Sequence, residues 1–381
     1  MPSQPTWRRL LPLAGIALAS AALTLGALEL LGRHFLTPIL VRYSDNQALR
    51  LQLANPKDLG VVSLYTPHHY YLYTTRPSYR SADGEVRHNT MGCRAEEVLI
   101  PKPAGVYRLL VLGGSTTYST LVRPNKATFT YELERLLNAW SASAGMQRAF
   151  EVLNCGVPGF TSAENLARYI FALSDYRADL LVVQQGLNDV LPRSLPHVSR
   201  DYREFSKSWE GFDPGREDWF LLRLVRAARS RFGDSVWTQG ISYVVRHPYW
   251  DPARSGAGPA NFSRNSPAIF EANTRYLVRL AAADGARVLL LTEHLVTDPA
   301  DRPTDWLPEG GIRAVLEHNR VLQRVGREEG TLFFDLQAAL CACGVLMPDG
   351  RHLSEEGETA KAQAIFSYLV HAFGAGRWTP S

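Results

Sequence analysis

Four short motifs, met in a fixed order along the chain, hold the residue types that acyl transfer requires. They are Gly113-Gly114-Ser115-Thr116-Thr117, Asn154-Cys155-Gly156-Val157-Pro158-Gly159, Gly186-Leu187-Asn188-Asp189 and Asp349-Gly350-Arg351-His352. A serine hydroxyl becomes a nucleophile when a base takes its proton; imidazole is the usual base, with a carboxylate fixing its tautomer. Ser115 is the candidate nucleophile, His352 the candidate base and Asp349 the orienting acid. Asp349 and His352 are three residues apart, so a single turn of chain can bring carboxylate to ring. The tetrahedral oxyanion of such a reaction needs donors already in place. Ser115 N–H, Gly159 N–H and the Asn188 side-chain amide are the candidate oxyanion hole. Gly113 and Gly114 allow a sharp turn at the serine. Gly159 leaves the approach of an ester open, and Pro158 stiffens the turn before it.

Each motif has a plainer reading when taken singly. Gly113-Gly114-Ser115 could be a phosphate-binding turn, but neither Gly-x-x-x-x-Gly-Lys nor Gly-x-Gly-x-x-Gly is formed. The Gly-x-Ser-x-Gly elbow is absent too. Asp349-Gly350 is a common turn pair, and Asn188-Asp189 a common strand-end cap. The ordered set favours chemistry. Around it, Arg94 and His294 are candidate substrate contacts: His294 ends an apolar run, and Arg94 is set to pair with a substrate carboxylate or, more readily, an internal acid. Asp189 is expected to brace loops, and Thr116 and Thr117 to cap the next helix or line the pocket. His68 and His69 lack partners at metal spacing, so no metal and no cofactor are expected. Asn261-Phe262-Ser263 fits a glycosylation sequon.

The elements that must position these residues are legible as apolar runs. Arg108–Leu112, Phe150–Leu153, Asp179–Gln184, Arg287–Thr292 and Leu332–Asp335 read as strands. Thr128–Trp140, Ser162–Leu173, Ala268–Asp284, Ile312–Glu329 and Ser354–Phe373 read as helices. Apolar strands alternating with helices specify a parallel sheet covered on both faces, the α/β class. In such sheets ligands sit at the carboxyl ends of the strands, where Ser115, Gly159 and Asn188 fall. Between Leu191 and Pro267 the pattern breaks, with one helix expected at Trp219–Arg229. That stretch is too long for a simple loop and reads as an insertion, over the active-site edge or packed on the N-terminal connector.

The N-terminus carries a different signal. Leu10 to Leu28 is unbroken by charge, and about 20 apolar residues are what a helix needs to cross a bilayer. Trp7 before it and Arg33 and His34 after it suit the interfaces; Arg8 and Arg9 favour a cytoplasmic start, a bias that Arg33, Arg42 and Arg50 after the run weaken. Ala17-Leu18-Ala19 resembles a processing site, but the apolar run continues past it, which favours an anchor over a cleaved signal. The expected organisation is a cytoplasmic tail over 1–9, a transmembrane helix over 10–32, a connector over 33–104 and a catalytic domain over 105–374, interrupted at about 191–267. Within the connector, Gln47–Leu53 reads as a short helix, and Asp83-Gly84 as a turn between extended pieces. The net charge is +4, with Lys and Arg dispersed, so nucleic acid is not an expected partner. The four cysteines, Cys93, Cys155, Cys341 and Cys343, form no evident disulfide framework and indicate no compartment.

These residues resemble the SGNH (GDSL-type) hydrolases over about Val106 to Phe373. Gly113-Gly114-Ser115 is similar to the Gly-Asp-Ser block whose serine is the nucleophile, with Gly114 in place of the aspartate, as in a Gly-Gly-Ser-Thr-Thr subgroup. Gly159 matches the glycine of the second block, Asn188 the asparagine of Gly-x-Asn-Asp, and Asp349 and His352 the closing Asp-x-x-His. Asn89-Thr90-Met91-Gly92-Cys93-Arg94 resembles an Asn-x-x-Gly-Phe-Arg segment of that subgroup. The resemblance implies a flavodoxin-like three-layer sandwich on a five-stranded parallel sheet. It implies an esterase, lipase, carbohydrate O-deacetylase or O-acyltransferase. The expected protein is a membrane-anchored serine esterase or O-deacylase, its catalytic domain outside the cytosol and periplasmic in a bacterium. Its substrate would be an ester such as an acylated glycan or lipid. An O-acyltransferase on the same triad, or a non-catalytic glycan-binding protein on the same fold, is the alternative.

Overall fold

The structure is a computed structural model that describes residues 7–36, 39, 64–81, 83–205, 256–298, 307–340 and 346–377. Contacts divide the chain into two units: Met1–Ser63 with Ser208–Arg246, and Leu64–Lys207 with His247–Ser381. The expected helices at Gln47–Leu53 and Trp219–Arg229, and Cys341 and Cys343, lie outside the described residues.

In the first unit, helix α1 (Trp7–Leu31) runs into a π-helical turn at Gly32–Leu36. Its stretch Gly15–Leu36 is long and apolar enough to cross a membrane, and Ile16, Leu18, Leu23 and Leu30 are exposed. The acid near its end, Glu29, pairs with Arg33 at 2.6 Å, one helical turn on.

The second unit opens with an antiparallel hairpin, β1 (Tyr65–His68) and β2 (Leu72–Thr75). The expected turn at Asp83-Gly84 follows, closed by pairing of Arg80 with Arg87. The main elements are β3 (Val106–Gly113), a one-turn helix α2 (Ser115–Tyr118), α3 (Phe129–Ser143), β4 (Ala149–Asn154) and α4 (Ser162–Arg168). Then come β5 (Leu180–Gln184), α5 (Ala268–Ala283), β6 (Arg287–Leu291), α6 (Gly311–Glu328), β7 (Leu332–Phe334) and α7 (Glu355–Gly374). The five strands β4-β3-β5-β6-β7 pair in that order and all in parallel, which is the flavodoxin-like order with its switch point between β3 and β5.

Alternation along β3 assigns the two faces. Leu109 and Val111 pack with Phe129, Leu133 and Leu137 of α3 and Ile365 and Leu369 of α7. Leu110 and Leu112 pack with Leu277 and Val278 of α5 and Val321, Leu322 and Val325 of α6. The strands are apolar on both sides because both faces are covered, which is why they read as unbroken runs. Polar caps fix where the helices begin. Thr128 accepts from Tyr131 N, Thr161 and Glu164 form a capping box, and Ser354 accepts from Gly357 N.

Two readings of the sequence are corrected here. Cys93 and Cys155, 62 residues apart, form a disulfide that ties the connector to the end of β4. Their spacing gave no sign of it, since the fold and not the sequence brings them together. Asn261 is a poor glycosylation acceptor: it is buried, and its amide donates to Ser194 O at 2.7 Å and Gly256 O at 3.0 Å. With Arg193 donating to Asn265 O at 2.7 Å, it clasps the two described stems of the insertion to each other.

Candidate active site

Ser115 opens α2 directly after β3, and its Oγ lies 2.7 Å from His352 Nε2. His352 Nδ1 lies 2.7 Å from Asp349 Oδ2, and Asp349 Oδ1 accepts the His352 backbone N–H at 2.8 Å. The Asp-x-x-His spacing therefore folds as a turn in which the carboxylate holds both ring and backbone of the histidine. Ser115 is 9% exposed and His352 5%. Burial pushes the imidazole down and the Asp349 hydrogen bond and charge pull it back, leaving it below its ordinary 6.5. Burial pushes the Asp349 carboxyl up, but the hydrogen bond and charge of His352 and the Arg351 guanidinium outweigh it and hold it well below the usual range. The acid is thus ionised and the ring neutral near pH 7, as a base requires.

The three expected oxyanion donors, Ser115 N–H, Gly159 N–H and the Asn188 amide, are held by separate contacts. Val157–Pro158–Gly159–Phe160 forms a turn closed by Phe160 N–H donating to Val157 O at 3.0 Å. Gly159 has φ +80°, the value a type II turn needs at its third residue, so glycine is required there. Among the described residues no acceptor takes the Gly159 or Ser115 N–H. The Asn188 amide donates to Phe160 O at 2.9 Å, keeping its second N–H for another partner. A Cβ on Gly114 would sit 2.7 Å from Asn188 Nδ2. Gly114 has φ −92° and ψ −146°, outside the regular helix and strand regions, and its smallness also makes room for the Asn188 amide.

A single helical turn cannot sustain itself, and its carbonyls lack helical partners. Side chains from elsewhere supply them. Thr120 Oγ1 donates to Ser115 O at 3.0 Å, Lys361 Nζ to Thr116 O at 2.9 Å, Asn154 Nδ2 to Thr117 O at 2.7 Å and Arg94 to Tyr118 O at 2.9 Å. Arg94 is therefore not a substrate contact. It is buried and also donates to Ser119, Val122, Arg123 and Asn125, which occupies the whole guanidinium. Thr116 and Thr117 do not cap the next helix, whose N-cap is Thr128; both are buried within α2, Thr116 Oγ1 donating to Glu293 at 3.0 Å.

His294 is likewise buried, in a polar group the motifs did not reveal. Lys361 Nζ donates to Gln184 Oε1 at 2.7 Å, which fixes the Gln184 amide. Its Nε2 then faces Glu293 Oε2 at 3.2 Å and His294 Nδ1 at 3.0 Å, so His294 accepts there and carries its proton on Nε2. Lys361 also sits 3.7 Å from the centre of the Phe129 ring. Burial pushes Lys361 down and Glu293 up, while their charges pull both back. Asp189 acts as the expected brace. It accepts from Ser162 N at 3.0 Å and Tyr202 OH at 3.0 Å, and burial raises its carboxyl to about 7. Among the described residues no cluster of His, Cys, Asp or Glu is arranged to hold a metal.

A parallel α/β sheet with serine, histidine and acid at its carboxyl edge defines a class of hydrolase, and the sequence places the chain within it. The profile of the GDSL-like lipase/acylhydrolase family matches residues 111–360, and the chain belongs to that family. It is accordingly an ester-hydrolysing serine hydrolase. Among curated proteins none matches. Similar solved structures include an acetylxylan esterase from Geobacillus stearothermophilus, at 19% identity over 69% of this chain and 93% of that one, with a TM-score of 0.41. An α/β hydrolase from the metagenome of Lake Arreo, Spain, aligns at 18% identity over 69% and 94%, with a TM-score of 0.41. TesA aligns at 19% over 69% and 97%, with a TM-score of 0.39.

Proposed function

We propose that this esterase is a membrane-anchored O-deacylase acting outside the cytosol through Ser115, His352 and Asp349. Ser115 Oγ attacks the ester carbonyl carbon while His352 Nε2 takes its proton. The oxyanion is held by Ser115 N–H, Gly159 N–H and Asn188 Nδ2. Collapse breaks the bond to the alcohol, which leaves with the proton from His352. Water, deprotonated by the same ring, then releases the acid and frees the serine. The observation that carries this reading is the continuous line from Ser115 Oγ through His352 to Asp349, both links at 2.7 Å.

The apolar stretch Gly15–Leu36 supports anchoring. The buried Cys93–Cys155 disulfide supports an oxidising compartment, periplasmic in a bacterium. An anchored domain there meets the acylated glycans and lipids of the cell envelope, and these are the proposed substrates. The test is p-nitrophenyl acetate hydrolysis by the full chain in detergent, wild type against Ser115→Ala. Turnover lost in the variant by about 10⁶-fold supports the reading. Equal rates from both, or acyl transfer to a sugar without hydrolysis, would contradict it.

A further inference from the structure

The oxyanion-hole turn is held by a residue that none of the four motifs contains. Tyr73 of strand β2 donates its hydroxyl to Pro158 O at 2.6 Å. Pro158 is buried, and among the described residues no other donor reaches that carbonyl. The carbonyl of Pro158 and the N–H of Gly159 belong to the same peptide group. In a trans peptide they point in opposite directions. Whatever fixes the carbonyl therefore aims the N–H.

This matters because the turn has a second state within reach. Type I and type II turns differ mainly by rotation of the central peptide, here Pro158–Gly159. Pro158 suits the second position of either type, and Gly159 accepts the third position of either. The Pro-Gly pair leans toward type II without excluding the flip. In the flipped form the Gly159 N–H would face the hairpin and the Pro158 carbonyl would face the opposite way. A carbonyl there repels a developing oxyanion, where the N–H would stabilise it.

We propose that Tyr73 is a positioning residue for the oxyanion hole, its hydroxyl locking the Pro158–Gly159 peptide in the orientation that presents the Gly159 N–H. The proposal rests on the triad reading above. Tyr73 is itself well held: its ring meets Phe160 edge-on at 5.5 Å and Tyr65 at 5.6 Å. Tyr71 meets Phe160 at 5.8 Å. The other end of the loop is pinned as well, by the Cys93–Cys155 disulfide and by Arg168 donating to Cys155 O. A segment that precedes the catalytic domain in sequence therefore completes the active site.

Tyr73→Phe tests this in the full chain, because it keeps the ring packing and removes only the hydroxyl. The expected result with p-nitrophenyl acetate is a fall in kcat of about tenfold, the order that one lost hydrogen bond to a buried carbonyl sets, with KM little changed. The rate of labelling by a fluorophosphonate, whose phosphoryl oxygen needs the same donors, should fall in parallel. A role in packing only would lower Tm and the fraction of labelled protein, and would leave the per-site kcat at the wild-type value; that result overturns the proposal. So does a wild-type kcat in a fully folded variant. Ser115→Ala is run alongside. Undiminished turnover there would overturn the triad reading and this proposal with it, whereas loss there with no change in Tyr73→Phe would sink this proposal only.

Discussion

On one side of α2, Ser115, His352 and Asp349 form a hydrogen-bonded line whose carboxylate keeps 28% of its side-chain exposure. Inward of the same turn, Lys361, Gln184, Glu293 and His294 form a second polar group with almost none. Both groups contain an acid and a cation or base, and both touch the turn that bears Ser115. They differ in what their charges can do. Near pH 7 the His352 ring is neutral and able to accept a proton, beside an acid that stays ionised. Lys361 has its ammonium spent on Thr116 O, Gln184 and the Phe129 face, with no room for a reactant. On the proposed reading the first group exchanges protons with a substrate. The second holds the backbone that the first depends on.

The largest effect should come from breaking the outer group. Asp349→Asn keeps the shape but loses the tautomer control of His352, and kcat should fall by about 10⁴-fold with Tm nearly unchanged. Steady-state kinetics and a thermal melt decide it. The inner group should respond in the opposite way. Lys361→Met leaves the buried Glu293 without the Lys361 charge that offsets its burial, and should destabilise by about 3–5 kcal/mol, read by denaturant unfolding. Pairing it with Glu293→Gln should recover much of that loss. Asn188→Ala removes one oxyanion donor and should lower kcat by about 10²–10³-fold while the fold stays intact.

The smallest effect, and the finest distinction between the groups, is in the pH profile. Only the neutral His352 ring can take the serine proton, so kcat/KM should rise with pH and level off. Burial outweighs the upward pull of Asp349, so the inflection should lie below 6.5. In Asp349→Asn that pull is gone, and the residual activity should inflect lower still. An inflection above 6.5 in the wild type would place the controlling group elsewhere.

The five strands and their flanking helices were legible because a sheet covered on both faces needs continuous apolar runs, as in Leu180–Gln184. That Ser115, His352 and Asp349 would lie together was legible because acyl-transfer chemistry at strand ends constrains short stretches of sequence. The inner group was not. Lys361 lies in a polar stretch of α7 that reads as a solvated face, and its partners Thr116 and Gln184 are 245 and 177 residues away. His294 was a substrate candidate because it ends an apolar run, and Arg94 because a guanidinium can pair with a carboxylate, yet both are buried and satisfy internal groups. The Cys93–Cys155 bridge and the Tyr73 contact with Pro158 were hidden for the same reason, since pairing across 62 and 85 residues leaves no local pattern.

The central claim is that Ser115 carries the acyl group, and the most direct measurement is mass spectrometry of the full chain after reaction with a fluorophosphonate. The account predicts a single adduct, on the peptide that contains Ser115, absent from Ser115→Ala and slowed by prior addition of an ester substrate. An adduct on another side chain, or ester turnover that persists with Ser115 unlabelled and replaced, would contradict it.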